Sequence, residues 1–117
     1  MSNTKWRAVF SALKDKKLGI RQIIVKFIDV DKPEAIGLPW LKTSYPFVDS
    51  ARFGPFPLIS IEWIEVPTIA LFARHSNVPA EEYPQDTIAI RSALVALGKR
   101  LPLEDMVTGL RVVGLVR

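Results

Sequence analysis

Apolar positions recur in this chain with two different periods, and the alternation between them divides it into elements. Trp6, Val9, Phe10 and Leu13 recur at helical spacing, while Lys5, Arg7, Lys14 and Lys16 fall largely elsewhere on the wheel. This predicts a first helix opened by Thr4 or Asn3 as cap and stopped at Gly19. A second helix is expected over 86–97, with Asp86 as N-cap, a stripe of Ile90, Leu94, Leu97 and Leu101 thickened by Ala93, and Gly98 at its end. Residues 20–30, with Ile23-Ile24-Val25 followed by Phe27 and Ile28, read as a strand whose one interrupted face carries Lys26. Residues 68–73 and 110–116 read as two more.

The stretch from Leu58 to Val66 is the element around which the rest is expected to pack. It is rich in β-branched and aromatic residues and is closed by Pro57 and Pro67. Strict alternation puts Ile59, Ile61, Trp63 and Glu65 on one face and Leu58, Ser60, Glu62, Ile64 and Val66 on the other. Both faces are mostly apolar, as in a central strand. A charge in such a row is costly unless paired. Glu62 is therefore expected to form a buried ion pair with Arg111, or failing that with Arg74; the competing reading has it reach solvent at an opening of the sheet. Together these elements predict an α+β fold: an antiparallel sheet of about four strands (20–30, 58–66, 68–73 and 110–116) with two helices packed on it. Residues 78–85 and 103–108 are expected to be connections.

Between Pro33 and Pro57 the pattern disappears. Five of the nine prolines and five of the eleven aromatics lie in this stretch. Proline removes hydrogen-bond donors and fixes φ, so a long helix or a paired inner strand is unexpected there. Long connections in small domains are commonly functional, and the aromatic content argues against disorder. Trp40, Tyr45, Phe47, Asp49, Arg52 and Phe53 form the candidate binding set, because aromatics and arginine dominate interface energetics. Asp49 and Arg52 are close enough to fix each other across a turn. The competing reading has Trp40, Phe47 and Phe53 pointing inward as a cap on the core.

Composition narrows the field. A chain of 117 residues holds one domain with one core. With 49% hydrophobic and 24% charged residues it is too apolar to be disordered. No apolar run approaches the roughly 20 residues that span a bilayer. The first residues lead into no apolar signal core, and cysteine is absent. A cytoplasmic location is the simplest reading.

The net charge of +4 is uneven: residues 1–32 carry eight Lys/Arg against three Asp/Glu, 33–90 three against seven, and 91–117 five against two. Basic ends suit a nucleic-acid or acidic-protein partner, while the competing and simpler reading has these charges solvate the two helices and pair with the acidic middle. Chemistry is sparse. There is no phosphate-cradling glycine loop, no paired histidines for a metal and no G-x-S-x-G, and Asp29, Asp31 and Glu34 lack the glycine and closing glutamate of a calcium loop. His75 beside Ser76 has no nucleophile elbow around it. No catalytic residue, metal site or cofactor is expected, and the reading leans away from an enzyme.

The second half of the chain resembles a bacterial family of small proteins known only as a domain of unknown function. The residues that carry the resemblance are Ile61-Glu62-Trp63-Ile64 with Pro67, Asp86 with Ile90 and Leu94, then Leu101-Pro102 and Gly109-Leu110-Arg111-Val112 with Gly114 and Arg117. It covers roughly residues 58–117 and departs from the pattern at Leu115, where an aromatic is usual. The resemblance implies an arrangement and no activity. The function expected is a non-catalytic protein-binding module, of which an immunity-like inhibitor is one form; a nucleic-acid binder using the basic N- and C-terminal segments is the alternative.

Overall fold

A computed structural model describes residues 1–41, 47–74 and 77–115. The fold is α+β. Five strands form an antiparallel sheet in the order β2-β1-β5-β9-β8: β1 (Ile23–Phe27), β2 (Glu34–Ile36), β5 (Ile61–Pro67), β8 (Leu103–Met106) and β9 (Gly109–Val113). Two further pairs stand apart from it: β3 (Phe47–Ser50) with β4 (Gly54–Pro57), and β6 (Ile69–Phe72) with β7 (Glu81–Pro84).

The helices α1 (Asn3–Leu13) and α2 (Thr87–Val95) share one apolar cluster with the sheet. Trp6, Val9, Phe10 and Leu13 from α1 and Ile90 and Leu94 from α2 pack with Val25, Ile64, Val66, Leu110 and Val112. The cap of α1 is Ser2, whose hydroxyl accepts from Lys5 N, rather than Asn3 or Thr4. Asp86 caps α2 as expected, accepting from Ile88 N and Ala89 N. Gly19 ends a short 3-10 turn (Lys16–Leu18) at φ 60°, a left-handed conformation that suits glycine.

The central strand is shorter than 58–66, because Leu58–Ser60 forms a single 3-10 turn. Its faces also differ from strict alternation. Lys26 pairs with Trp63 while Phe27 pairs with Ile61, so Glu62 is the extra residue of a β-bulge. The bulge reverses the alternation: Ile61 joins Ile64 and Val66 on the core face, and Trp63 and Glu65 point the other way. The Glu62 carbonyl accepts from Gly114 N and Leu115 N, which ties the end of the last strand to the bulge. Trp6 packs so closely there that a Cβ on Gly114 would lie 2.5 Å from its ring.

The strand at 68–73 is real but does not join the sheet. After Pro67 the Thr68 amide donates to Thr108 O, and β6 pairs with β7, in the stretch read as a connection. Two glutamines fasten this ribbon. Gln85 Oε1 accepts from Arg21 N and Gln22 N, and its Nε2 donates to Gln22 O and Pro67 O. Gln22 in turn exchanges two hydrogen bonds with the Leu71 backbone, taking the place of a strand neighbour. β8 also arises where a connection was expected. Its sequence, Leu-Glu-Asp-Met, shows no alternation, and pairing with β9 makes it an edge strand.

Candidate functional site

The Pro33–Pro57 stretch builds two pieces of structure at one end of the sheet. Its start adds β2 to the β1 edge, and its end folds into the β3–β4 hairpin. The hairpin turns through 51–53 onto Gly54 at φ 67°, where glycine avoids the strain of a left-handed backbone. Ser50 locks the turn: its hydroxyl donates to Gly54 O and accepts from Phe53 N. Val48 and Phe56 anchor one face of the hairpin in the core. Trp40 is bridged to the hairpin's outer side by reciprocal backbone hydrogen bonds with Asp49, of 2.6 and 2.9 Å. From the helix layer, Arg7 donates to Phe47 O and Leu41 O, at 3.2 and 3.0 Å, holding both flanks of the region.

Anchoring one face leaves the other to solvent. Trp40, Phe53 and Phe47 are 46%, 39% and 36% exposed. These three rings therefore do not form the inward cap; Phe56 and Val48 do that work. Tyr45 lies outside the described residues, as do His75 and Ser76. Asp49 and Arg52 do not fix each other by an ion pair. Arg52 reaches across to Glu34 on β2 at 3.0 Å, which ties the hairpin turn to the sheet edge. Its guanidinium also lies 5.6 Å from the centre of the Phe53 ring.

Two grooves flank this turn. One, of about 400 Å³, is lined by Phe27, Phe53, Phe56 and Val30, with Asp29, Glu34 and Ser60. Phe27 meets both Phe53 and Phe56 edge-on, with ring centres 5.6 and 5.1 Å apart. The other, of about 280 Å³, runs between Ile36, Gly37, Leu38 and Trp40 on one side and Ala51 and Arg52 on the other. Trp40, Arg52 and Phe53 are thus brought around a single turn, with Phe47 at the opposite end of the hairpin. Phe27 and Phe56 belong to the site as well. They were missed because Phe27 reads as part of a strand and Phe56 as one more aromatic of the proline-rich loop, and only the packing shows that both line a groove.

The Glu62–Arg111 ion pair is corrected by the register. Glu65 lies directly opposite Arg111, so Arg111 Nη2 meets Glu65 Oε1 at 3.2 Å, and Thr108 donates to Glu65 Oε2 at 2.8 Å. The Arg111 guanidinium stacks over Trp63, 3.8 Å from the ring centre. Glu62, displaced by the bulge, has Lys26 Nζ 3.6 Å away, and Arg74 donates instead to Pro79 O. The carboxylate buried to 3% exposure is Glu65.

Among the described residues no group of three or more His, Cys, Asp or Glu side chains is placed to hold a metal ion. Nor is any helix among them long and apolar enough to cross a membrane. No family model, curated protein or solved structure matches this chain.

Proposed function

We propose that this protein is a non-catalytic interaction module of the bacterial cytoplasm that binds another protein through the outer face of its β3–β4 hairpin. An immunity-like inhibitor, which neutralises a protein by covering it, is one form of that activity. The observation that carries this reading is the exposure of Phe53 in a turn locked by Ser50 and of Trp40 on the segment bridged to Asp49, with Arg52 beside both rings. Aromatic and arginine side chains supply most of the energy of protein interfaces, and a rigid loop loses little entropy when it binds. Affinity capture from the source cell tests this. A protein retained by the wild type and lost by a folded Trp40→Ser/Phe53→Ser variant supports the hairpin face. Equal retention by both overturns it.

A second reading, binding of nucleic acid, has one observation in its favour. Lys5 Nζ donates to Arg100 O, which gathers Lys5, Lys99 and Arg100 where α1 begins and α2 has ended. Arg111 would contribute little, since it is held by Glu65 and Trp63. Binding to a labelled oligonucleotide across a salt series decides the matter. A steep loss with salt supports it, and no binding at low salt removes it.

A further inference from the structure

We infer that the groove beside the hairpin turn receives one bulky apolar side chain, preferably aromatic, of a partner peptide whose neighbouring residue is lysine or arginine. The inference rests on the protein-binding reading and adds the chemistry of what is bound.

Size comes first. Pockets that enclose small molecules run from about 300 to 1,000 Å³. At about 400 Å³ this groove lies near the lower end and suits one large side chain. The walls supply the preference for a ring. Phe27, Phe53 and Phe56 already meet edge to face, and an incoming aromatic ring finds further edges and faces in the geometry such rings favour. Charge supplies the second half of the motif. The residues that line the groove include two carboxylates, Asp29 and Glu34, and no lysine or arginine. Arg52 holds Glu34 from the side of the hairpin, and Asp29 is exposed. A cation next to the inserted ring meets Asp29, whereas an acidic neighbour meets like charge. Exposed pairs of this kind are weak, so the preference for a basic neighbour is about threefold and fades with salt.

The test uses amide NMR on the isotopically labelled full chain with three capped peptides, Gly-Trp-Lys-Gly, Gly-Trp-Glu-Gly and Gly-Ala-Lys-Gly. The first is expected to shift the amides of residues 27–30 and of Phe53, Gly54 and Phe56 with a dissociation constant on the order of 1 mM. The second should bind about threefold more weakly at low salt, and the third should leave these amides unmoved. Asp29→Asn should abolish the difference between the first two while keeping the binding of both. Four results overturn the inference: equal binding of the lysine and glutamate peptides to the wild type, shifts confined to other residues, no shifts at about 10 mM peptide, or a dimer of the chain alone that fills the groove. Failure here with the partner still captured through Trp40 and Phe53 leaves the protein-binding reading standing. Peptide in the groove with capture indifferent to Trp40 and Phe53 sinks that reading alone.

Discussion

Two grooves on this molecule combine apolar walls with a carboxylate, and they use the charge in opposite ways. Beside the β6–β7 ribbon, a groove of about 350 Å³ is walled by Ile24, Pro67, Ile69, Leu71 and Val107, with Glu65 among its lining residues. There the carboxylate is buried, and each of its oxygens has a partner from this chain, Arg111 or Thr108. Beside the hairpin, Asp29 stands at the surface among phenylalanines. A buried charge must be answered within the fold, because desolvation otherwise costs more than the fold can bear. An exposed one costs almost nothing to keep and remains accessible to a partner. The first arrangement answers its charge within the fold, and the second leaves its charge in solvent, where the proposed peptide contact would use it.

The largest test of this contrast removes the buried carboxylate. Glu65→Ala leaves Arg111 without its anion and should lower stability by roughly 3 kcal/mol in denaturant titration. Adding Arg111→Met should recover much of that loss. A single substitution costing under about 0.5 kcal/mol would place Glu65 with the surface charges.

Gln85→Ala comes next. It strips four hydrogen bonds from the base of the ribbon and leaves backbone groups of Arg21, Gln22 and Pro67 short of partners. A loss of roughly 2 kcal/mol is expected, with faster hydrogen exchange across residues 69–72 and 81–83. An unchanged ribbon would show that the glutamine clamp is dispensable.

On the recognition side the expectation reverses. Trp40→Ser should cost less than about 1 kcal/mol, since nearly half of its surface is already in water. A binding partner captured through the hairpin should nevertheless lose about 2 kcal/mol of affinity, which separates the interface role from the structural one. If Trp40→Ser unfolds the domain, the ring belongs with the core.

The smallest effect is a titration. Tyr83 donates its hydroxyl to Glu81, and this bond, with partial burial and the carboxylate's charge, raises its pKa above the ordinary 10.0, against the opposing Arg21 guanidinium over the ring. The protonated phenol is thus favoured by folding. Its contribution is complete below pH 10 and fades as pH rises through the raised pKa. Spectrophotometric titration should show Glu81→Gln moving the Tyr83 midpoint down, and an unmoved midpoint would remove the bond's role.

Elements whose apolar spacing holds whatever packs against them were readable from the residues alone. Trp6, Val9, Phe10 and Leu13 make a helix stripe under any tertiary arrangement, and Asp86 caps a helix through atoms two and three residues away. The runs at 23–27, 61–67 and 109–113 are strands because their β-branched side chains fit a pleated surface. The exposure of Trp40, Phe47 and Phe53 was legible only as one of two alternatives, since an aromatic in a proline-rich loop serves equally well as cap or contact. Tertiary structure chose by seating Val48 and Phe56 in the core, which turned the other rings outward. It also decided the ion pairs. One extra residue at Glu62 changes which side chains share a face, and nothing local in the sequence signals a bulge whose partner strand lies more than thirty residues away. For the same reason β7 and β8 were invisible: their residues carry little strand preference of their own, and each exists because a neighbouring strand offers it hydrogen bonds.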